Sequence, residues 1–438
     1  MAAKDHRREA QIEKALAAAQ GSAAAFVFTT LYADAALAAA RHADNCDRAG
    51  VQAGALAGLG VSIKDLFDVA GEVTLAGSVQ RRGAPTATRD AAAVQRLRSA
   101  GAAVIGKTNM SEFAFSGVGI NPHYGTPVNP CDTVVARVPG GSSSGAAVSV
   151  ALGLAFAGLG SDTGGSLRIP AALCGLVGFK GTQRRVPLDG GFPLSHTLDT
   201  VGAITRNVAS SLLLDGVLAG APLWVVERPL RGLRLGLPQT LVLDALEPAV
   251  AQAYQRALSA LSAAGAQLIE LPLAELGEVA KINAPGGFSS VEAWALHRAA
   301  MLVPDQRALF DPRVAARIAL GEPVSAADYI VMQGRRRDWV QRTSKTIAGF
   351  DAIVCPTVPI VAPPIAPLLA SDEVFFKANG LLLRNTFVIN FLDGCAFSLP
   401  CQRAGELPVG IMLAAPQGHD ARLAAVALAV EAALAAAA

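Results

Sequence analysis

Hydrophobic positions along this chain fall into two rhythms, and their alternation predicts its architecture. Residues 1–50 carry Ala, Leu, Glu and Arg at helical spacing, with a break near Gly21–Ser22 and a second helix around Leu31–Arg48. Gly58–Lys64 (GLGVSIK) changes to a strand-like run, with Asp65–Gly71 as its loop. Asp90–Ala100 reads as an amphipathic helix with Val94 and Leu97 on one side, and AGAAVIGKT follows it as a helix stop and a buried strand. The same phrase of helix, Ala-Gly and strand returns at Gln255–Leu271, and Leu233–Pro238 and Asp351–Pro356 are further short apolar strands. Such alternation predicts helices packed on a sheet with parallel members. Residues from about 222 to 349 are richer in helix and charge and suit an outer layer or lid. No Ser/Gly/Pro linker sets them apart, so one domain is expected.

The most unusual stretch is Pro139–Pro170, PGGSSSGAAVSVALGLAFAGLGSDTGGSLRIP. Two Gly/Ser loops, Gly140–Gly145 and Ser161–Ser166, bracket an uncharged segment, Ala146–Leu159, whose one polar side chain is Ser149. Glycine costs conformational entropy on folding, and close helix packing accounts for one or two of these glycines. Glycines that flank serines fit loops that present backbone N–H groups and a hydroxyl to a substrate.

Composition narrows the function classes. Hydrophobic residues make up 52% of the 438 and charged ones 16%, which predicts a large core under a thinly charged surface. A net charge of +2 argues against nucleic acid as the main partner. Cys46, Cys131, Cys174, Cys355, Cys395 and Cys401 form no CxxC pair and read as reduced thiols of a cytoplasmic protein. The N-terminal residues are charged and helical in pattern, unlike a secretory signal. Ala146–Leu159 and Leu423–Ala438 are too short or too weakly hydrophobic to span a bilayer. No membrane partner is expected, and a thinly charged surface is compatible with a homodimer.

Several motifs compete for the chemistry. Gly101–Thr108 (GAAVIGKT) satisfies the GxxxxGK[ST] expression, but a helix precedes it and Ala102–Ile105 look like the strand itself, so the phosphate-nest context is missing. Gly141–Gly145 (GSSSG) satisfies GxSxG with Ser143 at its centre, between a strand predicted at Thr133–Val138 and a helix from Ala146. A histidine-triad esterase would need His196 with Asp199, or His419 with Asp420. His42 and Cys46 stand four apart on a helix, yet no second pair completes a metal site. Cys174 in LCGLVGF reads as a buried structural thiol.

Serine chemistry without histidine remains. Ser166 follows Asp162-Thr163-Gly164-Gly165, and successive N–H groups in a Gly-Gly turn can converge on one oxygen. A serine nucleophile needs a base, and a lysine serves if burial leaves its amine neutral. Lys64 ends an apolar strand and suits this role; a strand-end lysine paired to Asp65 or Asp68 is the equally weighted structural alternative.

GGSSSG at Gly140–Gly145, GSDTGGSLRIPAALCGLVGFKGT at Gly160–Thr182 and VSIKDLFDVAG at Val61–Gly71 resemble the amidase signature family. IGKTNMSEFA, PVNP, CPTVP and LPVGIMLAAPQGHD add to the likeness, which runs from about residue 25 onward. The resemblance implies one large α/β domain over residues 1–438, with a mixed, mostly parallel sheet covered by helices. Within it lie N-terminal helices (1–50), a catalytic core (55–205), a helix-rich variable substrate-pocket region (206–349) and a C-terminal part of the core (350–438).

It further implies Ser166 as nucleophile, Ser142 as a proton-relaying serine preceded by a cis peptide, and Lys64 as base. Thr163, Gly164, Gly165 and Ser166 would supply oxyanion N–H groups, Ser143 is an accessory serine, and Asp162 with Arg168 braces the loop. The activity implied is hydrolysis of a small carboxamide through an acyl-enzyme, with no metal or organic cofactor. The alternative within the family is the glutaminase subunit of a tRNA-dependent amidotransferase. FKGT at Phe179–Thr182 departs from relatives that carry proline after the lysine. Phe288, Trp294, Arg317 and Tyr329 are candidate pocket residues, for which ordinary packing is the plainer expectation.

Overall fold

The computed structural model describes residues 7–437, and the helical reading of residues 1–6 lies outside the described residues. Eleven strands join in one sheet: β1 (Phe28–Leu31), β2 (Gly60–Lys64), β3 (Ala103–Thr108), β4 (Ala157–Ser161), β5 (Val177–Lys180), β6 (Val201–Thr205), β7 (Arg234–Pro238), β8 (Gln267–Leu271), β9 (Ala352–Pro356), β10 (Cys395–Pro400) and β11 (Gly410–Ala415). Their order across the sheet is β1-β3-β2-β4-β6-β5-β10-β11-β9-β7-β8. Among the described residues β2 pairs in parallel with β3 and β4, and β7 with β8 and β9. The other six neighbour pairs are antiparallel.

The sheet is thus mixed and helix-covered, and its parallel pairing is confined to two three-stranded groups. The connections explain this. Helix Ala92–Ser99 lies between β2 and β3, and helix Pro248–Ala263 between β7 and β8, which are crossovers long enough for parallel pairing. The short return from β10 to β11 gives a six-residue antiparallel ladder.

The parallel group β3-β2-β4 is the structural floor of the molecule. Every residue of these three strands is buried, as expected where helices cover both faces. Along β3 the side chains alternate between two cores. Ala103 and Ile105 join Ala147, Val150 and Ile204, while Val104 joins Val61, Ile63, Val94 and Leu97. Residues 206–349 contribute β7 and β8 to the same sheet and the helices Val208–Ala219, Phe288–Met301, Pro312–Ala319 and Ala326–Ile347 outside it. Helix Asp420–Ala436 buries Leu423, Val426 and Val430 in a core shared with β10 and β11. Among the described residues, no helix is long and apolar enough to cross a membrane.

Two local expectations change. Phe28–Leu31 is an edge strand paired with β3, and the second N-terminal helix starts after it, at Ala33–Ala49. Its half-exposed FTTL carries no period-two signal strong enough to separate it from the following helix. Thr133–Val138 is not a strand. Asp132 Oδ1 accepts the N–H groups of Val134 and Val135 at 2.9 and 3.0 Å, a side-chain turn that leaves Val134 91% exposed.

The GAAVIGKT segment forms β3 itself, and Lys107 lies inside the sheet region, 1% exposed, with Nζ 2.8 Å from Asp65 Oδ1. Burial pushes the Asp65 carboxyl up, and Lys107 pulls it back. Lys107→Met leaves that carboxylate buried and unpaired, at a cost of about 3–5 kcal/mol. Urea unfolding of the variant and the parent tests this. The deficit is expected to be full at pH 8 and to shrink toward pH 5, because protonating Asp65 removes the unpaired charge.

Candidate active site

The parallel register places Ile63 of β2 opposite Leu159 of β4, so the two strands end on one edge with Lys64 and Ser161 as their last residues. Ligand sites in open α/β sheets form at such carboxyl ends. Lys64 is fully buried, and its Nζ lies 2.8 Å from Ser142 Oγ and 2.8 Å from Ser161 Oγ. It is paired with neither Asp65 nor Asp68. Asp65 belongs to Lys107, and Asp68 Oδ1 accepts from Thr74 Oγ1 at 2.5 Å. Burial pushes the Lys64 amine down to about 7, against the opposing pull of Asp199 and Asp162. The structural alternative for this lysine is therefore not what the chain builds.

Ser142 is delivered by the first Gly/Ser loop, where the Gly141–Ser142 peptide is cis. The loop is held from both sides: Gly141 N–H donates to the Gly117 carbonyl at 2.8 Å, and Ser142 O accepts from Ser111 N–H at 3.1 Å. A Cβ at position 141 would lie 2.7 Å from both Gly119 N and Ser111 Oγ, so only glycine fits there. Helix Ser144–Ala151 follows directly. Ser143 Oγ donates to the Ser161 carbonyl at 3.4 Å, and no histidine is among its hydrogen-bond partners in the described residues. His196 is exposed; Asp199 accepts from Thr163 Oγ1 and the amides of Leu194 and Ser195, and Asp420 holds Thr182. Neither aspartate is hydrogen-bonded to its neighbouring histidine.

The second loop, residues 162–166, is wholly buried. Thr163, Gly164, Gly165 and Ser166 are all buried, yet among the described residues their four amide N–H groups donate to no protein acceptor. Buried donors of this kind cost free energy unless something accepts from them. Ser166 is 3% exposed, and its hydroxyl makes no hydrogen bond within the described residues, so the structure joins Lys64 to Ser142 but draws no bond from Ser142 to Ser166. The two loops are nonetheless neighbours, because Ile169 packs beside both Gly140 and Gly165.

A buried ion pair fixes this donor loop. Arg168 Nε and Nη2 donate to Asp162 at 3.0 and 2.9 Å, and both side chains are wholly buried. Burial alone raises the Asp162 carboxyl, but Arg168, helped by Lys180 and Asn390, outweighs it and holds it at about 2. Helix Asp372–Phe391 supplies the remaining braces. Asn390 Nδ2 donates to Asp162 O and Oδ1 at 2.9 Å each, and Thr386 Oγ1 donates to Gly164 O at 2.6 Å. Gly165 has φ +137°, and a Cβ there would collide with Thr386 Oγ1. Asp199 accepts from Thr163 Oγ1 at 2.6 Å, and burial raises its carboxyl to about 6.

Ser161, Thr386 and Asn390 are not among the residues that the sequence singles out, and Asp199 stands out there only beside His196. All but Ser161 act from outside the two loops. Ser161 is legible in principle as the last residue of the strand beside Lys64.

Phe288 is buried against Tyr329 and Phe391, Trp294 packs on the core, and Tyr329 OH bonds to Glu292. Phe288 and Trp294 are packing residues, whereas Tyr329 also lines a cavity of about 630 Å³ beside His196 and Arg336. A cavity of about 270 Å³ opens beside Ser161, Asp199, Phe67, Phe192 and His196. The six cysteines are free, and among the described residues no cluster of His, Cys, Asp and Glu is arranged to hold a metal ion.

Lys64→Met tests the depressed amine directly. The unfolded chain binds a proton on Lys64 up to its ordinary 10.5, whereas the folded chain releases it near 7. Parent stability therefore falls as pH drops from about 10 to 7 and levels off below. The variant lacks this loss, so its thermal midpoint relative to the parent is expected to rise as pH is lowered from 10 to 7.

Comparison with known proteins identifies the family. The Amidase family model matches residues 10–424. The chain is 38% identical over 396 residues to 2-amino-5-chloromuconic acid deaminase of Comamonas testosteroni, covering 87% of this chain and 83% of that protein. It is 34% identical over 423 residues to a glutamyl-tRNA(Gln) amidotransferase subunit of Chloroflexus aggregans, covering 88% and 84%. A crystal structure of an amidase superposes with a TM-score of 0.87 at 32% identity, covering 97% of this chain and 96% of that one. The chain belongs to the Amidase family, and it is a hydrolase acting on C–N bonds.

Proposed function

We propose that this enzyme hydrolyses the C–N bond of a small carboxamide through a seryl acyl-enzyme, with Ser166 as nucleophile, Ser142 as proton relay and Lys64 as base. The observation that carries the reading is a buried lysine with two serine hydroxyls as partners and no carboxylate. An amine held near 7 is half neutral at neutral pH, the state in which it accepts a proton. Neutral Lys64 takes the Ser142 proton as Ser142 takes that of Ser166, whose oxygen attacks the carbonyl carbon. The developing oxyanion accepts from the unpartnered amides of residues 163–166, which stay fixed by Asp162, Arg168 and Thr386. The relayed proton returns to the leaving nitrogen, and ammonia or an amine departs. Water then adds to the ester by the same relay, giving the carboxylate and restoring Ser166.

Residues 206–349 form the variable pocket region in this reading, within a single amidase domain. The free thiols support a cytoplasmic setting. A second reading, a glutaminase subunit that passes ammonia to a partner, is supported by the similarity to an amidotransferase component. Gel filtration with and without co-expressed partners separates the two.

Peptide-mapped mass spectrometry after treatment with a fluorophosphonate is expected to find the adduct on Ser166. Lys64→Ala and Ser142→Ala are expected to slow labelling and amide turnover by about 10³-fold or more. An adduct on Ser143, or full turnover by Lys64→Ala, contradicts the assignment.

A further inference from the structure

We propose that Glu292 is a positioning residue for the hydrolysis: through the turn at residues 194–199 it holds the Thr163 amide where the oxyanion forms. The proposal rests on the amidohydrolase reading above and adds to it a residue outside both glycine loops.

Glu292 lies on helix Phe288–Met301 and is 7% exposed, so its carboxylate is met by protein groups and not by solvent. Among the described residues no cation pairs with it, and neutral donors occupy it instead. Oε2 accepts from Ser195 Oγ at 2.5 Å and from Thr197 N–H at 3.0 Å, and Oε1 accepts from the hydroxyls of Thr197 and Tyr329. A buried carboxylate is costly unless its oxygens are filled, and hydrogen bonds to an ionised oxygen are stronger than those between neutral groups. Three of its four donors belong to one turn, so this carboxylate ties that turn to the helix.

Asp199 grips the same turn from its other side. Its Oδ2 accepts from the N–H groups of Leu194 and Ser195 at 3.0 and 3.1 Å, and its Oδ1 accepts from Thr163 Oγ1 at 2.6 Å. Ser195 is the junction: its amide goes to Asp199 and its hydroxyl to Glu292. The backbone beyond the turn docks on the donor loop as well. Asp162 N–H donates to Thr200 O at 2.8 Å, and Thr200 Oγ1 donates to Asp162 O at 2.7 Å. Helix Asp372–Phe391 braces Asp162 and Gly164, whereas the Thr163 side chain is held by Asp199. Helix Phe288–Met301 touches this segment a second time, where His297 packs on Phe192 with ring centroids 5.8 Å apart. A misplacement of about 1 Å costs on the order of 100-fold in rate. The anchor of the turn therefore bears on the chemistry although Glu292 touches no reacting atom.

The test is Glu292→Gln, which keeps the shape but puts an NH2 group where an oxygen accepted, so that it cannot serve all four donors. The end point of fluorophosphonate labelling at Ser166 counts the folded sites, and rates are expressed per labelled site. On that basis kcat for the best primary amide of a panel is expected to fall about 10- to 100-fold, with KM within about 3-fold of the parent. A trifluoromethyl ketone with the same acyl group places an oxyanion on Ser166, and it is expected to bind more weakly by about the factor lost in kcat/KM. Tyr329→Phe removes one donor and keeps the carboxylate, and is expected to lower kcat and ketone affinity about 2- to 5-fold. It carries the same comparison should Glu292→Gln fail to fold. Parent kcat per labelled site in the variant that folds, a loss confined to KM, or a fall in kcat with unchanged ketone affinity overturns the proposal. A parent that neither labels at Ser166 nor hydrolyses any amide overturns the amidohydrolase reading instead.

Discussion

Burying an amine with hydroxyls for partners, and no carboxylate in contact, is the constraint on which this site depends. A charged ammonium in such surroundings loses its hydration without an ion pair to replace it, so the neutral form gains. That outcome requires the neighbouring acids to be occupied elsewhere. Asp65 is adjacent in sequence, and Lys107 on β3 takes it. Asp162 is taken by Arg168 and Asp199 by Thr163. The buried ion pairs around the site thus act less as glue than as a means of keeping carboxylates off one nitrogen.

The second requirement is a rigid set of donors opposite that amine. Parallel pairing of β2 and β4 sets Lys64 beside the loop that follows Ser161, and the loop's amides are left without internal acceptors. Such a loop would collapse onto its own carbonyls were it not tied down. Thr386 and Asn390, more than 200 residues further along the chain, tie it through Gly164 O and Asp162. Helix Asp372–Phe391 is therefore part of the site although it lies far from both glycine loops in sequence.

The core of this arrangement is readable in the sequence because its local chemistry is unusual. Glycines flanking serines, an apolar run ending in lysine and a helix–strand alternation each have a short-range cause. The strands at 60–64, 103–108, 234–238, 267–271 and 352–356 follow from those runs. What stays hidden depends on distance or on weak signal. Phe28–Leu31 is a half-exposed edge strand stabilised by pairing with β3, and no period in FTTL announces it. Thr133–Val138 is apolar enough for a strand, but the Asp132 side chain captures its amides first. Asn390 and Thr386 sit in an ordinary-looking helix, and their role exists only where that helix crosses the donor loop. Arg317 is visible as a residue, but its bond to the Phe115 carbonyl is a property of the fold.

The protonation state of Lys64 is the centre of the account, and it can be read without substrate. Lysine labelled at the side-chain carbon and nitrogen, followed by NMR from pH 5 to 11, resolves a buried amine from the exposed ones. A lysine that titrates near 7 and vanishes in Lys64→Met is expected, beside a second buried lysine, Lys180, that is pushed down to about 8 and persists in the variant. A Lys64 that stays protonated to pH 10 would contradict it, because the relay through Ser142 would then have no base.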